Sequence, residues 1–331
     1  MKILAIRFAR LGDIILLLPA LSQLKKSFPE SHLTFLTGRR CASVADLCPA
    51  IDDVISLDRI ALRDGPIGRA IFQMGRLLRD IRRRRFDLVV DFHSFRETNL
   101  LAWLSGAPNR VALKRHNAPY LSFCFNSPPV VEDKSIHVSE MFHRVVAGIA
   151  EDLPHVPGRA LVVPHDMKRW AEQAMPGGPR LALYIDAPVR ERMWPAEYFA
   201  RVADFAIEKF GARVAVISSP EGRQLTERLQ AASRHARELS LFGDVSLPQL
   251  AALIASSRLL VSNDTGPMHL GPALGVPTLA LFSVGYPEHF SPGGPSDRFL
   301  RENPIDRIEV NKVIEATEQM WATAADPSFR R

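Results

Sequence analysis

Two stretches of this chain carry residues whose types and spacing could do chemistry. The first is Leu259-Leu260-Val261-Ser262-Asn263-Asp264-Thr265-Gly266-Pro267-Met268-His269-Leu270. Its apolar start reads as a buried parallel strand and its polar middle as a turn. Pro267 suits the first turn of a helix, where an N–H has no intrahelical acceptor. Met268, Leu270, Ala273 and Leu274 keep helical spacing beyond it. Such a turn aims free main-chain N–H groups and the positive end of a helix dipole past the strand, which suits a phosphate. An ordinary capped strand-to-helix turn has the same pattern.

The second stretch, Arg7-Phe8-Ala9-Arg10-Leu11-Gly12-Asp13, follows a first strand at 1–6. Asp13 stands after Gly12 at the start of a helix, facing the crevice beyond the strand ends. A carboxylate there can take a proton from an incoming hydroxyl. An Asp that offsets the helix dipole would look the same.

His93, in the polar turn His93-Ser94-Phe95-Arg96-Glu97 after a strand at 87–92, faces the same kind of crevice; a hydrogen-bonded structural histidine is the alternative. Arg59, Arg63, Arg69 and Arg76 could clamp a phosphorylated acceptor. The run Arg82 to Arg85 suits solvent or anionic lipid heads. A solvated basic face carrying no ligand explains both sets equally. No aromatic residues interleave the run, which argues against nucleic acid. No His, Cys or carboxylate group has metal-ligand spacing, so no metal is expected. After the first strand there is no GxGxxG, only Gly12, and no Walker pattern, which argues against a nicotinamide enzyme or a P-loop NTPase.

The elements that must position these residues follow from the hydrophobic pattern. Strands are expected at 1–6, 32–36, 54–57, 87–92 and 110–113, with helices at 14–26, 63–85 and 99–104. A second series has strands at 181–185, 213–218, 239–242 and 278–282, with helices at 196–210, 224–232, 247–255 and 311–323. Strands alternating with helices imply parallel βαβ units and doubly wound sheets. Between the two series lie Pro154, Pro157, Pro164, Pro176, Gly177, Gly178 and Pro179 around a short helical piece at 167–175, read as an interdomain linker. The expected division is 1–160, a linker at 161–179, and 180–331, with a cleft between two α/β halves. The last helix is a candidate to pack back on the first half.

A chain of 331 residues with 47% hydrophobic content can bury two cores of roughly 150 residues each. The net charge of +6 favours anionic partners. Cys41, Cys48 and Cys124 form no metal-type pairing and suggest free, buried thiols in a reducing compartment. Arg7, Arg10 and Asp13 interrupt the first apolar run, so no signal peptide is read there, and the expected location is cytoplasmic.

The residues Ile3 to Arg7, Arg10-Leu11-Gly12-Asp13 and Pro19-Ala20-Leu21 resemble the opening of the ADP-heptose:lipopolysaccharide heptosyltransferase family. Asp91-Phe92-His93 resembles its mid-domain strand end, and Ser262 to Leu270 its carboxyl-domain signature, with Ala273-Leu274-Gly275-Val276-Pro277 and Ala280-Leu281-Phe282 in register. The resemblance implies a GT-B fold of two Rossmann-like domains, the acceptor on the first and the nucleotide-sugar on the second. It implies an inverting, metal-independent transfer of heptose from ADP-heptose, a co-substrate rather than a cofactor, to a lipopolysaccharide-core-type acceptor. Asp13 would be the general base. Arg192, Glu221, Asp264, Thr265, Gly266, Pro267, Met268 and His269 would bind the donor, and Arg10, Arg59, Arg63, His93 and Arg96 the acceptor. The partners implied are a nucleotide-sugar, a phosphorylated glycolipid and the anionic inner face of the cytoplasmic membrane.

The chain departs from the family pattern around both substrates. Asp186-Ala187-Pro188 replaces a His-Pro-Gly-like run, and an Asp there repels a diphosphate unless it is turned away. Arg192 replaces a Lys, Ser218-Ser219-Pro220-Glu221 a Gly-Gly-Pro loop, and Ser283 to Pro287 a Gly-Pro-Thr-Asp-Pro-like segment. A basic position after His93 is Glu97, with Arg96 adjacent. A transferase for another nucleotide-sugar, or a non-catalytic nucleotide- or glycan-binding relative, are the alternatives these changes leave open.

Overall fold

The computed structural model describes residues 1–150 and 159–324, apart from the side chains of Leu62 and Arg63. The chain divides into two compact units, Met1–Val156 and Pro157–Arg331.

The first unit runs β1 (Lys2–Ile6), α1 (Leu11–Ile15), α2 (Leu18–Ser27), β2 (His32–Gly38), α3 (Arg39–Ala45), β3 (Asp53–Leu57), α4 (Arg59–Asp64), α5 (Ile67–Arg84), β4 (Leu88–Asp91), α6 (Arg96–Leu104), β5 (Asn109–Lys114), β6 (Val130–Val131) and α7 (Val138–Ala147). The strands form one parallel sheet in the order β3-β2-β1-β4-β5-β6. The order reverses direction between β1 and β4, the switch point at which such sheets open a crevice beyond their carboxyl ends. Ile6 pairs with both Leu36 and Asp91, so the segment after β1 emerges beside the turn after β4. Both faces of β1 are buried, as its uninterrupted apolar run requires.

Two helices expected as single pieces are broken. The helix at 14–26 is split into α1 and α2 because Pro19 lacks the N–H for a bond to the preceding turn and sits instead near the start of α2. The basic region 63–85 is divided by Gly65-Pro66 into α4 and α5, as the restriction on residues before proline demands.

The second unit runs α8 (His165–Ala174), β7 (Arg180–Tyr184), α9 (Ala196–Phe210), β8 (Arg213–Ile217), α10 (Arg223–Ala232), β9 (Leu239–Phe242), α11 (Leu247–Ala255), β10 (Leu259–Asn263), α12 (Leu270–Leu274), β11 (Thr278–Phe282), α13 (Pro287–Phe290), β12 (Arg298–Arg301) and α14 (Val310–Thr323). Its sheet order, β12-β11-β10-β7-β8-β9, repeats the first topology. Here the switch lies between β10 and β7. The pairs Ser262–Tyr184, Asn263–Leu281 and Tyr184–Ile217 bring four strand ends to one edge.

Part of the stretch read as a linker is folded structure. In α8, Ala171 is buried and Trp170 packs edge-on to Phe242, 6.2 Å between ring centroids. Proline and glycine there mark turns rather than solvent. Pro154 and Pro157 lie outside the described residues. The last helix, α14, packs on α9, with Trp321 stacked on Phe210 at 4.8 Å and beneath the Arg258 guanidinium.

The segment after α13 is pinned by Asp297, whose carboxylate accepts the main-chain N–H groups of Thr278 at 2.8 Å and Gly294 at 2.7 Å. Burial pushes its pKa up to about 6, against the opposing effect of those two bonds. The native state therefore holds a proton that the unfolded chain releases near pH 4. The resulting stability is full below that value and is lost as pH climbs to about 6, a decline on the order of 3 kcal/mol. Urea unfolding of the wild type and Asp297→Asn between pH 4.5 and 6.5 is expected to show this slope only in the wild type.

Candidate active site

In the first unit the site is built on the paired ends of β1 and β4. Arg7, directly after β1, is buried and donates to the Phe92 carbonyl at 2.6 Å. Its guanidinium lies 5.0 Å from the Phe142 ring centroid and 3.7 Å from the Asp13 carboxylate. Burial lowers the Arg7 pKa to about 10, with Asp13 acting in the opposite sense, so the cation persists at neutral pH. The Asp13 side chain keeps 30% of its surface exposed. The result is a reachable carboxylate held beside a fixed positive charge. In the sequence Arg7 is visible only as the first charge to break an apolar run, yet it links Asp13 to the β4 turn.

That turn is organised by Asp91, a fully buried carboxylate. One of its oxygens accepts the N–H groups of His93 at 3.0 Å and Ser94 at 2.8 Å. The other accepts from Asn99 Nδ2 at 2.9 Å, and Asn99 Oδ1 in turn accepts the Leu121 N–H at 3.0 Å. Ser94 is held at φ 52°, a left-handed conformation that costs a non-glycine residue energy and persists only where neighbours impose it. Burial pushes the Asp91 carboxyl above its ordinary range.

His93 sits between two rings, 5.6 Å from Phe8 and 4.4 Å from Phe95, both edge-on. Arg59 faces Phe8 at 5.4 Å and Arg115 faces Phe95 at 5.3 Å, completing a ladder of arginine, phenylalanine, histidine, phenylalanine and arginine. Burial first, then the charges of Arg7, Arg59 and Arg115, press the His93 pKa down to about 3. The imidazole is therefore neutral at physiological pH and can give or take a hydrogen bond there without carrying a positive charge.

Of the residues expected on this side, Arg59 and His93 line one cavity, which Glu97, the departure from a basic position, also lines. Arg10 is exposed and caps α1 through its main chain, while Arg96 is exposed at the start of α6. Arg63 lies in α4, and its side chain is outside the described residues.

In the second unit, four strand-end loops meet. Asn263 closes β10 and is wholly buried. It accepts the Trp194 N–H at 3.1 Å and donates to the Ile185 carbonyl at 2.8 Å, and Trp194 Nε1 donates to Ile308 at 3.0 Å. This asparagine thereby sets the segment that carries Arg192. The Arg192 guanidinium reaches the Asp264 carboxylate at 3.1 Å. Burial raises the Asp264 pKa, with Arg192 opposing. Ser283 Oγ donates to the Glu191 carbonyl, tying in the loop after β11. A Cβ added to Gly285 would stand 2.5 Å from Asp264 Oδ2, so a larger residue where this departing loop crosses the carboxylate would push that side chain aside.

Beyond Asp264 and Thr265 the expected helix is a 3₁₀ turn, Gly266–His269, followed by the five-residue α12. Pro272 removes an N–H within α12, and Gly275 ends it in the left-handed conformation. The pattern promised a longer dipole than the chain builds. Pro267, Met268 and His269 are buried, and Met268 packs with Ala280 and Phe282. The Met268 side chain thus serves the core, and its N–H donates to Thr265 at 3.1 Å. Thr265 and Gly266 occupy the first positions of the turn, whose N–H groups have no intrahelical acceptor.

Asp186 is turned away from this turn. Its carboxylate accepts from the N–H of Ser219 at 3.2 Å, from Ser219 Oγ, and from its neighbour Ala187 at 2.8 Å. It is a cap for the loop after β8, whose 3₁₀ turn carries the exposed Glu221. A Cβ on Gly222 would meet Asp186 Oδ2 at 2.8 Å, so the two departures from the family pattern are fitted to each other. Tyr184, at the end of β7, has its pKa pushed up to about 12 by burial and by the charges of Asp186 and Glu221.

Two α/β units, each a parallel sheet with a site at its strand ends, are an architecture shared with solved structures. A glycosyltransferase family 9 structure from Veillonella parvula superposes with a TM-score of 0.82 at 23% identity, covering 97% of each chain. The Escherichia coli ADP-heptose lps heptosyltransferase II gives 0.81 at 19%, covering 98% of this chain and 100% of that one. The fold is GT-B. The family model for glycosyltransferase family 9 (heptosyltransferase) matches residues 74–316, and the chain belongs to that family. Among its relatives, lipopolysaccharide heptosyltransferase 1 of Pseudomonas aeruginosa is 29% identical over 300 residues, covering 87% of this chain and 80% of the relative. The lipopolysaccharide core heptosyltransferase OpsX of Haemophilus influenzae is 22% identical over 325 residues, covering 96% and 89%. The protein is thus a glycosyltransferase of the heptosyltransferase type.

Proposed function

We propose that this enzyme transfers heptose from ADP-heptose to a lipopolysaccharide-core-type acceptor, with inversion at the anomeric carbon and without a metal. The observation that carries the reading is the Asp13 carboxylate, partly exposed at a strand end and 3.7 Å from the buried Arg7 cation. In this mechanism Asp13 takes the proton of the acceptor hydroxyl as its oxygen forms a bond to the heptose C1. The bond from C1 to the ADP oxygen breaks, and its electron pair leaves on the diphosphate. Thr265 and Gly266 offer main-chain N–H groups to that developing charge. Arg192 supplies a cation, shared with Asp264. In this reading Glu221, exposed on the turn after β8, accepts from a ribose hydroxyl. Neutral His93 and the cation of Arg59 receive the acceptor.

The Asp186 geometry supports a working donor site, since the carboxylate that looked repulsive in sequence is spent on Ser219. For location, we propose the inner face of the cytoplasmic membrane. Among the described residues no helix is long and apolar enough to cross a membrane. Ile67, Ile71 and Phe72 of α5 are strongly exposed beside its arginines, a composition suited to an anionic lipid surface.

Calorimetric titration is expected to rank ADP at least about tenfold tighter than UDP or GDP. Mass spectrometry of a reaction with ADP-heptose and a core-type acceptor should show the heptosylated product. Preference for a non-adenine nucleotide would reject the ADP-heptose assignment and leave a transferase for another sugar donor.

A further inference from the structure

The loops at the carboxyl edge of the second sheet stand in a fixed sequence. The strand order puts β8, with Glu221 on its following turn, two places from β10, with Thr265 and Gly266, and puts β11 on the other side of β10. Neighbouring strands lie about 5 Å apart. A donor with its ribose at Glu221 and its diphosphate at Thr265 and Gly266 therefore spans about 10 Å across the strand ends. One strand spacing further, the same line carries the group on the far phosphate over the end of β11.

The segment that leaves β11, Ser283-Val284-Gly285-Tyr286-Pro287, departs from the family pattern and is fastened at several points. Ser283 Oγ donates to the Glu191 carbonyl, in the turn that also carries Arg192. Gly285 passes against the Asp264 carboxylate, and both it and Pro287 are buried. The Tyr286 carbonyl accepts the N–H groups of His289 at 3.1 Å and Phe290 at 3.0 Å. Glu288 pairs with Arg301, at the end of β12, at 3.7 Å. Between these ties Val284 and Tyr286 turn outward, 46% and 71% exposed. A single exposed ring on a loose surface loop needs no explanation. This ring is held out from an anchored backbone, one residue past the glycine that lies on Asp264, so the ordering that a ligand contact would otherwise cost is already in place.

We propose that Tyr286 is a specificity-determining residue for the donor, its ring forming a platform for the C–H face of the transferred sugar, with Val284 extending the apolar surface. This rests on the transferase reading and adds to it which part of the chain meets the sugar rather than the nucleotide. A phenol ring offers a broad apolar face of negative partial charge, which matches the weakly positive C–H groups on one side of a sugar ring. Arg192 and the N–H groups of Thr265 and Gly266 answer the diphosphate, which every nucleotide-sugar of this kind carries. Discrimination between sugars is a difference of affinities and needs a contact to the sugar itself.

The test titrates ADP and ADP-heptose into the full chain without acceptor. Tyr286→Ala should weaken ADP-heptose binding by about three- to tenfold, the range of one aromatic contact, and leave ADP within about twofold of the wild type. Tyr286→Phe should keep the wild-type affinity for both, because the ring and not the hydroxyl makes the contact. The exposed side chain can be changed without disturbing the core, and a thermal melt of each unliganded variant checks this. Unchanged ADP-heptose affinity in Tyr286→Ala, equal weakening of ADP and ADP-heptose, or a Tyr286→Phe that loses as much as Tyr286→Ala overturns the proposal. A wild type that prefers UDP or GDP to ADP strikes the donor assignment instead. The same comparison, made with UDP and UDP-glucose or with GDP and GDP-mannose, then decides the Tyr286 contact.

Discussion

Replacing Asp13 with Asn is expected to lower kcat for sugar transfer by about 10²–10⁴-fold, the usual contribution of a positioned general base. The ADP affinity should stay within about twofold of the wild type, because the loss is confined to the transition state. The physical ground is local. Asparagine keeps the size of the side chain and its place in the first turn of α1, and removes only the basicity. Arg7 retains its bond to the Phe92 carbonyl and its contact with Phe142, so the fold of the strand end is preserved. A thermal melt within a degree or two of wild type would show that. Asp13→Ala should behave alike. Turnover undiminished in Asp13→Asn would remove the residue from the mechanism and turn attention to neutral His93 as the group receiving the proton. A base of that kind would give a pH profile that stays flat down to about pH 3, where burial and the surrounding arginines hold the His93 titration.

The contrast between the two domains shows what a sequence can and does not disclose. Apolar runs at Leu88–Asp91, Leu259–Asn263 and Thr278–Phe282 are strands with buried faces, since nothing else accommodates uninterrupted Val, Leu and Ile of that length between turns. Asp13 and the turn after β10 are legible for the same reason: they follow such strands directly. What stays hidden is the direction of side chains after the strand ends. Asp186 reads as a charge pointed at the donor and is in fact a cap for Ser219. Asn263 reads as part of a turn and is a buried brace between Ile185 and Trp194. Met268 belongs to a motif as a letter and to the core as a side chain. Arg115 stands two residues past the expected strand at 110–113 and belongs to no motif, yet it closes the ladder around His93. Each of these depends on contacts across strands, which period and composition do not encode.

The largest stability effect is expected at Asp91. Asp91→Ala leaves the N–H groups of His93 and Ser94 and the Asn99 amide without their acceptors in a buried place. At roughly 1–3 kcal/mol for each unsatisfied buried group, relaxed in part by repacking and water entry, a net loss of about 3–5 kcal/mol follows for the first unit. The loss should exceed that of a simple side-chain truncation because Asp91 also holds Ser94 in its left-handed turn. Without the carboxylate, the Phe92–Ser94 segment can relax toward extended backbone, carrying His93 out from between Phe8 and Phe95. Asp91→Asn separates the two roles. Its amide oxygen can still accept both main-chain N–H groups, and only the bond from Asn99 is lost, so the cost should be about 1–2 kcal/mol. Urea unfolding followed by far-UV circular dichroism measures both. ADP titration of the two variants should match the wild type, since every residue proposed to hold the donor lies on the second unit. Equal destabilisation by Ala and Asn would mean that the buried charge, rather than the two main-chain bonds, keeps the turn in place.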